Sequence, residues 1–133
     1  MIPERYAPAV YSLFRAVFGF LFLCHGLQKF GLLGGLDGKG AAAPLASLFG
    51  AAAVIETVCG ALVLLGLGTK PAAFIASGMM AVAYFRVHHP SAPLPLLNMG
   101  EPAVLFCFAF LYIATRGSGP VGLDAMMGGK KRR

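Results

Sequence analysis

Six polar residues interrupt stretches otherwise built from apolar side chains: Arg15, His25, Lys29, Glu56, Asn98 and Glu101. Arg15, His25 and Lys29 share the run Val10–Phe30. At about 100° per residue they fall within roughly an 80° arc of one helix face. An ionisable group in hydrocarbon costs at least ~2.5 kcal/mol, so such groups turn towards a bundle interior or water. Glu56, alone in the middle of an apolar run, needs a cation or a proton. Arg15 and His25 are its expected partners, because ~15 Å of helix separates them and Glu56 lies between. Glu101 is expected to meet Lys29 or Arg86. Two chemistries follow from this set. One is polar glue that fixes the order of the helices. The other is a quinone- or proton-linked site in which His25 and Glu56 exchange protons with a redox lipid.

Other candidates carry less chemistry. His88 and His89 precede Pro90 and read as ordinary interfacial residues. Cys24, Cys59 and Cys107 each lie inside an apolar segment, with no CxxC pair and no metal-type Cys/His spacing. They read as small buried hydrophobes. The phenylalanines of the first segment read as lipid or core contacts. Gly117-x-Gly119 has no following helix and reads as a turn, so no metal, flavin or phosphate motif is assigned.

These residues need long apolar elements to hold them. The chain has 133 residues, 58% hydrophobic and 12% charged, with a mean hydropathy of +0.77. A soluble domain is nearer half apolar and a quarter charged, so the composition is that of a membrane protein. The length allows one domain over residues 1–133. Val10–Phe30 is long enough to cross a bilayer, roughly 30 Å at 1.5 Å per residue. Arg15 interrupts it, and HGLQK follows where a cleavage site would need small residues, so a removed signal peptide is not expected. Gly31–Ala43 is a glycine-rich connector. The second span, 45–67, carries one charge, Glu56, and small residues that permit close helix approach. Pro71 suits the first turn of the third span, 72–87. Ser91–Gly100 contains two prolines and is expected to fold against the bundle or dip into the interface. Glu101-Pro102 opens the fourth span, 101–116, and residues 117–133 form a turn and a disordered basic tail.

The expected fold is all-α, a bundle of four transmembrane helices. An even number of spans places both termini on one side, which collects Arg5, Lys70, Arg116, Lys130, Lys131, Arg132 and Arg133. The opposite side collects Lys39, with Lys29 and Arg86 at span ends. The positive-inside rule then makes the N and C termini cytoplasmic. The net charge of +6 is concentrated in the tail, which reads as a topology signal and a contact with anionic membrane lipids, not as a nucleic-acid surface.

Taken in order, the polar and glycine positions resemble the DoxX family of small membrane proteins. The matching features are Arg15 and Gly19; His25-Gly26 with Lys29; Glu56 and Gly60; Gly66-Leu67-Gly68-Thr69; Asn98-Met99-Gly100-Glu101; and Gly119-Pro120 through Leu123-Asp124. They span roughly residues 11–124. The closing motif reads Val121-Gly122-Leu123-Asp124 where the family pattern has Ser-Leu-Asp. The resemblance implies a multi-pass four-helix bundle in the bacterial inner (plasma) membrane. It implies association with a membrane oxidoreductase complex: the family takes its name from a subunit of a thiosulfate–quinone oxidoreductase. Other members resemble partners in oxidoreductase or thiol-stress complexes, and related eukaryotic proteins act as assembly factors or cargo receptors. Two functions are therefore expected in competition: a quinone-associated subunit, or a non-catalytic scaffold that binds another membrane protein. No self-sufficient catalytic motif is present, and quinone is the one ligand implied.

Overall fold

The structure, a computed structural model, describes residues 3–129. The topology signal expected from Lys130–Arg133 lies outside the described residues. Among those residues the chain is helical and has no strand. After a 3₁₀ turn at Glu4–Tyr6 come α1 (Ala7–Lys29), α2 (Leu48–Leu65), α3 (Thr69–Ala83), α4 (Glu101–Arg116) and α5 (Leu123–Gly129). Two helical stretches, Glu4–Lys29 with 26 residues and Leu48–Leu65 with 18, are long and apolar enough to cross a membrane. α3 and α4 are shorter, at 15 and 16 residues.

Local sequence accounts for most boundaries. Ser47 caps α2 by accepting a hydrogen bond from the Gly50 amide at 3.1 Å. Gly66 ends α2 in the left-handed region, at φ 69°, and Leu67 N donates back to Leu62 O at 2.9 Å. α3 begins at Thr69, three residues before the expected Ala72, with Pro71 in its first turn. Past Ala83 the chain continues as a π-helical turn, Tyr84–His88, closed by His89 N donating to Tyr84 O at 2.9 Å. Residues 91–100 hold turns and no regular helix, as their prolines require. Contrary to the expected disordered tail after Asp124, Leu123–Gly129 forms α5.

The helices pack as two close hairpins, α1 on α2 and α3 on α4, with fewer contacts between them. The small residues of α2 serve the first hairpin. A Cβ added to Gly60 would lie 2.5 Å from the Leu23 amide nitrogen, and one on Gly19 would lie 2.8 Å from Leu64 Cα. Close approach at small residues substitutes for a hydrophobic driving force when lipid is the solvent. Aromatic rings join the hairpins: Phe22 of α1 lies 4.6 Å from Phe110 of α4, and Phe18 meets Phe106 edge-on at 5.6 Å. Phe22 and Phe110 are fully buried and Phe20 is half-exposed, so the phenylalanines of α1 divide between core and outer surface.

Candidate functional site

The two ends of the bundle hold different polar constructions. At the N-terminal end, the buried Arg15 guanidinium meets only backbone carbonyls. Nε donates to Ser118 O at 2.9 Å, Nη1 to Val63 O and Leu64 O at 2.5 and 2.7 Å, and Nη2 to Val121 O. Val63 and Leu64 belong to the last turn of α2, where the helix no longer supplies every carbonyl with an amide four residues on. One side chain therefore ties α1 to the end of α2 and to the segment after α4. Tyr11 reinforces it by donating from its hydroxyl to Gly117 O at 2.6 Å.

Asp124 completes this end. Its Oδ1 accepts from the Gly68 amide at 2.8 Å and its Oδ2 from the Thr69 amide at 3.0 Å. The start of α3 has no side-chain cap of its own, so Asp124 caps it from 55 residues away. Partial burial pushes the Asp124 carboxyl up. The Thr69 and Gly68 hydrogen bonds, with the nearby charge of Arg15, outweigh it and hold the group below the ordinary Asp value. Gly122 follows from the same packing, since a Cβ there would lie 2.7 Å from Ser118 Cβ. Any side chain at this place would need the turn to shift.

At the opposite end the hairpins line a partly open cavity of about 430 Å³. Its wall is apolar, including Phe22, Ile55, Met79, Met80 and Phe106, with four polar interruptions: His25, Lys29, Glu56 and His88. Lys29 Nζ lies 2.7 Å from Glu56 Oε2, with the two side chains 16% and 4% exposed. A helical side chain leans towards the N-terminus of its own helix, so the Lys29 stem runs back into the bundle to reach Glu56. His25, one turn before Lys29, sits edge-on to Phe106 at 5.8 Å. His88 holds Asn98 O at 3.0 Å through Nδ1.

The sequence-derived pairings change accordingly. Glu56 pairs with Lys29 and not with Arg15 or His25. Gly26 of α1 packs on Ala53 and Thr57 of α2, which sets Glu56 beside the last turn of α1. Arg15 lies fourteen residues earlier in the same helix, at the other end of the bundle. Glu101 is exposed and forms no ion pair with Lys29 or Arg86, because Lys29–Glu56 is the ion pair present among the described residues. Asn98 is buried but does not line the cavity. Its Oδ1 accepts from Gly100 N at 2.8 Å and its Nδ2 donates to Ala92 O at 2.8 Å, so it shapes the 91–100 loop. Of the six candidates, the structure gathers His25, Lys29 and Glu56 on one cavity and leaves the other three outside it. His88 joins them, although its position before His89-Pro90 reads as interfacial. The 84–88 π turn carries it to the wall, and no local spacing signals that turn. Cys59 is buried and Cys24 and Cys107 are half-buried, all three free.

The DoxX family pattern matches residues 10–89. A Haemophilus influenzae protein described as an uncharacterized protein is 37% identical over 129 residues, covering 91% of this chain and 92% of its own length. No solved structure matches the chain. A pattern match through α1, α2 and α3, with a relative aligned over nearly the whole length, places this chain in the DoxX family.

Proposed function

We propose that this protein is a quinone-associated accessory subunit of a membrane oxidoreductase complex in the bacterial inner membrane. In this reading α1, α2, α3 with its π turn, and α4 each cross the bilayer, and both termini are cytoplasmic. Arg5, Lys70 and Arg116 support that orientation. Arg116 lies over the Tyr11 ring at 5.5 Å, and the Lys70 stem lies against Gly117, so these cations gather at the N-terminal end. The cavity then lies in the outer half of the membrane.

One observation carries the ligand assignment. The cavity is apolar and its two full charges, Lys29 and Glu56, neutralise each other at 2.7 Å. A site of that kind suits a neutral head with hydrogen-bond acceptors better than an ion, and its volume falls within the usual ligand range of roughly 300–1,000 Å³. Lys29 has three N–H donors and Glu56 engages one, so the others are free to bind a quinone carbonyl. Glu56 fixes the ammonium in place, His25 supplies a ring nitrogen able to hold or pass a proton, and Phe22 and Phe106 exclude water. A bound quinone supplies reversible two-electron, two-proton chemistry, which this chain's own side chains do not.

The alternative is a non-catalytic scaffold or assembly factor. Ala53 and Gly60 of α2 are already used by α1, so that function falls to the outward surface of α3, its π turn and α4. Phe74, Phe85, Leu105 and Phe108 are each more than 60% exposed there. Mass spectrometry of the protein extracted in native lipid discs separates the two. Stoichiometric quinone in the wild type, lost in Lys29→Met, is expected. A stoichiometric protein partner without quinone, or quinone retained equally by Lys29→Met, overturns the proposal in favour of the scaffold.

A further inference from the structure

The cavity is open on one side, and the geometry of that side defines how a ligand reaches it. α2 and α3 are joined by the short turn Gly66–Gly68 at the Arg15 end. The residues of these two helices that line the cavity lie far from that turn, 48–56 of α2 and 75–83 of α3, with Val87 and His88 of the π turn. The cavity is thus bounded by the unjoined halves of α2 and α3. The exposed lining residues of α2, α3 and the π turn are Leu48, Phe49, Ala51, Ile75, Val82 and Val87, all apolar, and Pro102 of α4 is exposed as well. The polar groups Lys29 and Glu56 lie at the back, on α1 and the inner face of α2, and are nearly buried.

We infer that the cavity takes a lipid-tailed molecule sideways from the bilayer, between α2 and α3, with its head on Lys29 and its tail left in the mouth. The inference rests on the ligand site proposed above and adds the route and the requirement for a tail. An apolar mouth on the side of a bundle faces hydrocarbon, so a water-soluble solute gains nothing by approaching there. A molecule with an alkyl chain already lies at that depth. The chain leaves one set of methylene contacts in lipid for another on Leu48, Phe49, Ile75 and Val82. The acceptor head exchanges an unsatisfied position in hydrocarbon for a donor.

The test uses the full chain in lipid nanodiscs of phosphatidylglycerol and phosphatidylethanolamine. The probes are a benzoquinone ring without a tail, the same ring with a decyl tail, and a decanoyl monoacylglycerol. Ile75→Trp and Val82→Trp add bulk at half-exposed mouth positions without filling the core, and Val82→Ala controls for change at the site. In the Trp variants, affinity for the decyl quinone, expressed per lipid, is expected to fall about tenfold, with less than about a threefold change for the tailless ring. Unchanged decyl-quinone binding in both Trp variants, with loss in Lys29→Met, overturns the sideways route and leaves the quinone reading standing. An equal loss for the tailless ring also overturns the route. If the monoacylglycerol binds with the same mouth dependence and the decyl quinone does not, the route stands and the quinone reading falls. Failure of both tailed probes to bind overturns both.

Discussion

Lys29 and Glu56 meet at 2.7 Å across the α1–α2 contact, one turn beyond the point where Gly26 lies on the α2 backbone. The glycine contact sets the register, and the register decides which cation finds the carboxylate.

Breaking that pair strands one charge. Removing a single member of a buried pair costs about 3–5 kcal/mol, whereas replacing both with apolar side chains is often neutral. Lys29→Met alone is expected to destabilise by about 3 kcal/mol in chemical unfolding from detergent micelles. Glu56→Gln, which keeps an acceptor for the ammonium, is expected to cost less. The double variant Lys29→Met with Glu56→Leu is expected to recover most of the loss, and a double variant as unstable as either single change would contradict this account.

Arg15 works through geometry more than charge. Four carbonyls surround a planar fork, which the single ammonium of lysine cannot reproduce. Hydrogen bonds to a charged group contribute about 1.5–3 kcal/mol each. Arg15→Lys is expected to destabilise by at least ~2 kcal/mol and to speed amide exchange in residues 117–122. Exchange unchanged in that segment would show that the guanidinium does not hold it.

Asp124 links stability at this end to pH. Its carboxyl titrates lower in the folded chain than its ordinary value of 3.8, so the unfolded state binds more protons in that range. Its contribution is complete above the ordinary value, shrinks as the pH falls below it, and is lost once the folded value is passed. The protection of the Thr69 and Lys70 amides, measured against their intrinsic exchange rates, is expected to fall on acidification below about pH 4 in the wild type. In Asp124→Asn, which keeps one of the two acceptor oxygens, the dependence flattens, whereas Asp124→Ala is expected to cost about 1 kcal/mol, the usual size of a lost helix cap. An identical acid profile in Asp124→Asn would remove Asp124 from the explanation.

Topology is open to direct labelling. With Cys24, Cys59 and Cys107 changed to Ala, single cysteines in Lys39→Cys and Lys70→Cys report opposite sides of the membrane. Lys39→Cys is expected to react with an impermeant maleimide in intact cells and Lys70→Cys only after permeabilisation. The reverse pattern would invert the orientation and move the cavity to the inner half.

The helical segments were legible in the sequence because long apolar runs broken by Gly and Pro have few other solutions. Pro71 and the Glu101-Pro102 start marked helix beginnings for the same local reason, and the family resemblance followed from polar and glycine positions in order. The partners of Arg15 were hidden because they are backbone carbonyls, which carry no residue type. Lys29–Glu56 was hidden because it depends on the register of two helices, set by contacts of Gly19, Gly26 and Gly60 over less than a side chain's width. Asp124 appeared in the motif without a function, since its partners are amides in a turn over fifty residues away. α5 was missed because Leu123–Gly129 is short and glycine-rich, and its first residues are held by Asp124 N donating to Gly66 O at 2.8 Å.

The carbonyl cage around Arg15 also makes the bundle mechanically lopsided. It sews α1, the end of α2 and the segment after α4 together, and Asp124 fastens the start of α3 to the same place. Beyond that end the side-chain ties stay inside each pair, Lys29–Glu56 in α1–α2 and Ser77 Oγ donating to Cys107 O in α3–α4. Between the pairs it is ring packing, Phe22 on Phe110 and Phe18 on Phe106, that holds the cavity end together.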